Sequence, residues 1–188
     1  MQGGDIEMSR KVVLGITSSA AAYKGVVLAS MLRRAGFEVD GVLSGPATRL
    51  IGPAQLACVT GRAVHTDLFP AQPADPIPHI SLSDGVALAV IAPATAHFLA
   101  RMAWGFADDL LTSTILACDC PVVVAPSMNS RMWRNPATVD NIARLASRGV
   151  HIAGPVSGTL ACGTTGEGRM MEPGDILAIC LGILGTGD

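Results

Sequence analysis

Short apolar runs alternate along the chain with longer stretches in which apolar residues recur every three or four positions. Residues 11–17 (KVVLGIT) are rich in β-branched residues and predict a buried strand. Residues 20–35 carry apolar positions at helical spacing, with Arg33 and Arg34 in the last turn and Gly36 as the stop. Residues 38–43 predict a second strand. Residues 86–92 (VALAVIA) are apolar on both faces, as a central parallel strand must be. Helices are predicted over 95–102 and 108–117, then a short strand over 122–125. A helix over 136–148 has Pro136 at its start and Gly149 beyond its end. A strand over 150–153 and a closing helix over 174–184 complete the pattern. Residues 69–78 (FPAQPADPIP) read as a surface loop. Strand–helix alternation of this kind predicts an α/β fold, with a parallel sheet covered on both faces. Ligands of such folds bind beyond the carboxyl ends of the strands.

Composition narrows the picture. A length of 188 residues predicts one domain, over residues 9–188 after a short tail at 1–8. With 49% apolar and 15% charged residues, general disorder is excluded. A formal net charge of −2 with 13 Lys and Arg offers no electrostatic footprint for nucleic acid. The longest nearly apolar stretch, 176–184, is too short to span a bilayer. The first eight residues lack the pattern of a signal peptide, so a cytoplasmic location and no membrane partner are expected. The cysteines, at 58, 118, 120, 162 and 180, are odd in number and form neither C-x-x-C nor a paired spacing with histidine. Reduced thiols fit this better than disulfides or a metal site.

Candidate chemistry sits at the predicted strand ends. The loop Gly15-Ile16-Thr17-Ser18-Ser19-Ala20 is neither G-x-G-x-x-G nor a Walker loop. Its small residues at a helix start suit a phosphate cradle, and equally a simple cap. Ser44-Gly45-Pro46 follows the second strand, and Pro93-Ala94-Thr95-Ala96-His97 the third. Pro126-Ser127-Met128-Asn129 follows the fourth. The Asn129 amide suits a carboxylate or a planar heterocycle, although alone it reads as a turn residue. His79, like His65, His97 and His151, reads alone as structural. Met132 and Trp133 read as packing, and Asp108 and Asp109 as helix-start residues. Four glycines, three threonines and Cys162 crowd the stretch 158–170 (GTLACGTTGEGRM), which suits a flap over about 154–170. There Cys162 is a reactive thiol or a buried one, and Arg169 an anion ligand or a solvated charge.

Four segments together carry a resemblance: GITSSAAAYK, IAPATAHFLARMAWGFADDLLTSTILA, PVVVAPSMNSRMWRNPAT and GPVSGTLACGTTGEGRMMEP. They resemble the flavin-containing cysteine decarboxylases, above all the branch that decarboxylates phosphopantothenoylcysteine in coenzyme A biosynthesis. The resemblance runs from about Ser9 to Leu184. It implies a flavodoxin-like, Rossmann-like sandwich that binds FMN and assembles as a homotrimer or as four trimers. It implies that Thr17, Ser18, Ser19 and Ser44 hold the FMN phosphate. Thr95, Ala96, His97 and Phe98 would lie by the flavin, bordered by Ser127 and Met128. His79 matches an active-site histidine, Asn129 the grip on the substrate carboxylate, and Cys162 a flap proton donor. Met132 and Arg169 fall on the substrate side. The family commonly has Gly-Ser at Ser18-Ser19 and Asn at His97.

The implied chemistry needs an electron sink. Pyridoxal phosphate would require a Schiff-base lysine, and Lys11 and Lys24, in a strand and a helix, are poor candidates. A flavin can instead oxidise the thiol-bearing carbon, so that the resulting thioaldehyde accepts electrons as CO₂ leaves. Peptidyl-cysteine decarboxylases of peptide-antibiotic pathways stop at the oxidised ene-thiol and generally lack the flap cysteine. Cys162 therefore favours a small cysteine-containing substrate. Non-catalytic inhibitory phosphatase subunits and flavin prenyl transferases are the remaining alternatives. Most bacterial members of the leading branch continue into a synthetase domain. The sequence ends at Asp188, which implies either a separate partner activity or a specialised relative.

Overall fold

The structure, a computed structural model, describes residues 10–70, 75–161 and 163–185. The expected tail at 1–8, part of the loop at 69–78, and Cys162 lie outside them.

Six parallel strands form one sheet: β1 (Lys11–Ile16), β2 (Glu38–Leu43), β3 (Val64–His65), β4 (Val86–Ala94), β5 (Val122–Pro126) and β6 (His151–Ile152). Their order is β3-β2-β1-β4-β5-β6. The chain runs outward one way from β1 and the other way from β4. The junction of β1 and β4 is thus the switch point at which doubly wound sheets open a crevice. Without the two-residue edge strand β3, the order reduces to the flavodoxin-like arrangement.

Alternation along the strands divides the core. Val12, Leu14 and Ile16 of β1, with Leu88 and Val90 of β4, face one layer. That layer contains α1 (Ala22–Arg34), α2 (Pro53–Thr60) and α8 (Pro173–Ile183), which supply Leu28, Leu32, Leu56 and Ile176. Val13, Ala89, Ile91 and Val124 face the other layer. It contains α3 (Pro78–Ser83), α4 (Ala96–Trp104), α5 (Leu110–Ala117) and α7 (Pro136–Ser147), with Phe98, Leu99, Leu111 and Leu145 inward. A single turn, α6 (Ser130–Trp133), precedes α7. No helix among the described residues is long and apolar enough to cross a membrane.

Three elements differ from the sequence reading. α2, β3 and α3 were not expected, and α3 begins at Pro78, the last residue of the expected surface loop. The glycine-rich flap is an antiparallel hairpin of β7 (Val156–Thr159) and β8 (Thr165–Arg169). Asp109 caps α5 as expected. Its side chain accepts from Thr112 N–H at 2.8 Å and from Arg101 Nη1 at 2.6 Å. Burial pushes its carboxyl upward, but these bonds together hold it below the ordinary carboxylate range.

α1 rests on the sheet through Gly25. A Cβ there would stand 2.4 Å from the Ala92 carbonyl oxygen and 2.8 Å from Ile16 Cδ1. The carbonyl belongs to the β4 backbone and cannot swing aside. Gly25→Ala is therefore expected to cost about 2 kcal/mol through overpacking. Thermal unfolding should show this as a midpoint roughly 4–8 °C lower at this chain length.

Candidate active site

The carboxyl ends of β1, β4 and β5 open into a cavity of about 750 Å³. That lies within the roughly 300–1,000 Å³ typical of cofactor and small-molecule sites. The loop after β1 contributes Ser18 to Ala21, with Tyr23 and Lys24 in the first turn of α1. The β4 end contributes Thr95, Ala96 and His97, and the β5 end Ser127, Met128 and Asn129. Met132 adds an apolar wall, and the hairpin covers the far side with Thr159 to Ala161 and Gly168 to Met170.

Buried hydrogen bonds lock the strand ends together. Thr17 donates its hydroxyl to the Pro93 carbonyl at 2.8 Å and accepts from Thr95 N–H at 3.0 Å. The Thr95 side chain caps α4 by accepting from Phe98 N–H at 3.3 Å. Ser19 Oγ and Ser127 Oγ share a bond of 2.8 Å, which bridges the β1 and β5 loops over the end of β4. Ser19 also folds the first turn: its N–H donates to the Thr17 carbonyl, and its carbonyl accepts from Ala22 N–H. Among the described residues, no backbone acceptor takes the Ser18 or Ala20 N–H. Successive donors at the start of a helix suit a phosphate. Ser18 causes no backbone strain, because no non-glycine residue has a positive φ among the described residues. A side chain is thus accommodated where the resemblance implies glycine.

Asn129 is the N-cap of α6, and its side-chain oxygen accepts from Arg131 N–H at 2.8 Å. With the oxygen committed, the amide's other hydrogen-bonding end is a donor, the polarity that a carboxylate requires.

The hairpin docks directly on this loop. Met128 N–H donates to the Gly168 carbonyl at 2.9 Å. Gly168 has φ +133°, and a Cβ there would stand 2.2 Å from the Met128 carbonyl oxygen. Beside it, Lys24 Nζ pairs with Glu172 Oε1 at 2.8 Å, and Arg169 Nη2 binds the same oxygen. The carboxyl of Glu172 is held low first by the Lys24 hydrogen bond, with Arg169 adding to it.

Of the residues expected at the site, Ser18, Ser19, Thr95, Ala96, His97, Ser127, Met128, Asn129, Met132 and Arg169 line the cavity. Thr17 sits just beneath it, its hydroxyl already used. Phe98, expected beside a flavin, is a correction: it is 2% exposed and its ring belongs to the core. Ser44 caps a short 3₁₀ turn after β2 and does not line the cavity. His79 lies on α3, which packs against α5, and is also not among the lining residues. Its Nδ1 is buried without a hydrogen-bond partner among the described residues. Lys24 was missed as a site residue. Its only sequence signal was a cation in the first turn of a helix, where the dipole disfavours it.

Cys118 and Cys120 are half-buried against the core at the end of α5. A hydrogen bond between the two thiols pushes Cys118 up and draws Cys120 down. No cluster of three metal-ligating side chains occurs among the described residues.

The chain is 44% identical over 171 residues to the coenzyme A biosynthesis bifunctional protein CoaBC of Vibrio vulnificus, covering 91% of this chain and 43% of that one. It is 41% identical over 170 residues to CoaBC of Mycobacterium tuberculosis, covering 90% and 40%. It thus spans less than half the length of these relatives. Among solved structures, the FMN-dependent cysteine decarboxylase SpaF superposes with a TM-score of 0.80 at 31% identity, covering 94% of this chain and 96% of that one. A mutant PPC decarboxylase complexed with pantothenoylaminoethenethiol also gives 0.80, at 30% identity, covering 92% and 96%. The Flavoprotein family model matches residues 4–185, nearly the whole chain. With the doubly wound sheet and the crevice at its switch point, the conclusion is that this chain belongs to the Flavoprotein family.

Proposed function

We propose that the chain is an FMN-dependent carboxy-lyase. It would convert 4′-phosphopantothenoylcysteine to 4′-phosphopantetheine in the coenzyme A pathway of the cytoplasm. The observation that carries this reading is the joining of the P-S-M-N loop and the hairpin over one cavity at the β1/β4 switch point. The cavity fits the cofactor: the Ser18 and Ala20 amides offer donors for its phosphate, and no acidic side chain lines the described walls.

When bound, FMN supplies a two-electron acceptor, which permits loss of CO₂ beside a thiol-bearing carbon without a Schiff base. The chain's own groups do the rest. Asn129 holds the departing carboxylate, and the docked hairpin excludes water. Cys162 Sγ–H donates the proton that completes the saturated product. Ser19 and Ser127 fix the crevice so that the reacting carbon is held in one place.

His79 enters this reading through assembly. In one chain it is not among the cavity-lining residues, and it stands between exposed Ile77 and Ile80. An oligomer, a trimer or four trimers, would bury these side chains and bring the His79 of one copy to the cavity of the next. Light scattering of the protein should then give a mass that is a multiple of three chains.

The reading is tested on yellow protein incubated with 4′-phosphopantothenoylcysteine, with products weighed by mass spectrometry. The wild type should lose CO₂ alone. Cys162→Ser should still lose CO₂ but stop at a product poorer by two hydrogens. Saturated product at the wild-type rate from that variant would remove Cys162 as the donor. Two hydrogens lost by the wild type would instead favour the oxidative peptidyl-cysteine reaction. No turnover at all would sink the substrate assignment.

A further inference from the structure

Lys24 poses a physical problem that its fold does not solve. Its side chain is only 9% exposed, and it sits in the first turn of α1, where the helix dipole repels a cation. Burying an ammonium beside a carboxylate rarely adds net stability over an apolar side chain of the same size. The residue nevertheless lines the cavity, as does Arg169. These two are the only residues with formal charge among the described lining, and both are cations, in a chain whose net charge is −2. Both bind the same carboxylate oxygen, Glu172 Oε1. Two positive charges thus share one negative charge, and one positive charge is left over at the cavity wall. Glu172 itself is half-exposed and belongs to no strand or helix interior, being the N-cap of α8. Its carboxylate can turn to solvent at little cost, whereas the buried Lys24 cannot.

The geometry points to an anion subsite: we propose that Lys24 and Arg169 hold the phosphate monoester of the substrate, and that Glu172 is a place-holding counter-ion which the phosphate displaces. This rests on the decarboxylase reading and names the group by which that site selects its substrate. The neutral donors at Ser18 and Ala20 suit a cofactor phosphate that is bound once. The charged pair suits a ligand that must arrive and leave with every turnover. A dianionic phosphate outcompetes a monoanionic carboxylate for two cations in a partly dry wall, because charge-assisted bonds strengthen there. Since Arg169 ends β8, capture of the phosphate also tethers the hairpin to α1.

The test compares kcat/KM for 4′-phosphopantothenoylcysteine with that for pantothenoylcysteine, which lacks only the phosphate. The wild type should prefer the phosphorylated substrate, and the preference should shrink as salt rises. Lys24→Met should lower the preference about tenfold or more. Glu172→Gln should raise it, because the competitor is gone and the cations remain. A purely structural tie between the hairpin and α1 predicts the opposite for that second variant, since cutting the tie from either end is then equally harmful. If both variants lower the two substrates by one common factor, the subsite is refuted. A wild type that prefers neither substrate refutes it as well and leaves the decarboxylase reading standing. Turnover of neither substrate removes both. FMN affinity, from flavin fluorescence on titration of the apoprotein, should stay within about twofold in Lys24→Met. A large loss there would assign the cations to the cofactor's phosphate instead.

Discussion

Asn129→Asp is expected to leave a folded, FMN-binding protein whose kcat/KM on its cysteine substrate is lower by two to three orders of magnitude. The α6 cap survives because the side-chain oxygen accepts from Arg131 N–H, and Asp caps a helix as well as Asn does. The loss is chemical. The substitution replaces the donor end of the amide with a second negative oxygen, so a carboxylate now faces a carboxylate. Juxtaposed like charges cost several kcal/mol, which corresponds to the stated loss. The sign of the pH response distinguishes this account from misfolding. The substrate carboxylate raises the pKa of the introduced carboxyl, so the protonated, donor-capable form of that group grows as pH falls. The activity of the variant should therefore recover partly towards pH 5 while that of the wild type does not. Steady-state kinetics between pH 5 and 8, with circular dichroism as a folding control, decides the matter. A flat ratio of variant to wild type across that range would show that Asn129 does not meet a carboxylate.

The parts legible in the sequence were those whose environment is set by the sheet. β1 and β4 are buried on both faces, so their sequences are unbroken apolar runs, and the loops that follow them were correctly placed at one end of the sheet. What failed was set by contacts remote in sequence. β3 has two residues, paired only through Gly41↔Val64 and Val42↔His65, too few to show a period. α3 is six residues long and keeps only Pro78 and Leu82 fully inside, too short a pattern to show a helical period. β8 alternates glycine with polar residues and β7 has Val156 as its one apolar residue, which hid their period of two behind a loop-like composition. Phe98 adjoins a lining loop in sequence, yet its ring turns to Leu99 and Ala103 on the buried side of α4. Lys24 and Glu172 meet across 148 residues, and no local pattern announces such a pair.

The docking of the hairpin sets the second large effect, at Gly168. Two independent constraints converge on this position: φ is +133°, a region that side-chain-bearing residues rarely enter, and a Cβ would press to 2.2 Å on the Met128 carbonyl oxygen. Relief of either requires the backbone of β8 to leave that of the P-S-M-N loop, because both colliding groups are fixed to main chain. Gly168→Ala should therefore break the bond from Met128 N–H to the Gly168 carbonyl and lift the hairpin from the cavity. The sheet and both core layers do not depend on that bond, so the global melting midpoint should fall far less than the activity does. Activity should fall by about a hundredfold or more, as is usual when a cover that positions substrate is displaced. Protease cleavage within 154–170 should become faster at the same time, as the covered backbone opens. Gly166 offers the contrast that makes the result interpretable. A Cβ there meets the Ser130 hydroxyl at 2.5 Å, the end of a side chain that can rotate away, and its φ lies outside the left-handed region. Gly166→Ala should keep most of the activity. Equal losses at the two positions would mean that hairpin flexibility, and not its seat on the Met128 backbone, controls the reaction.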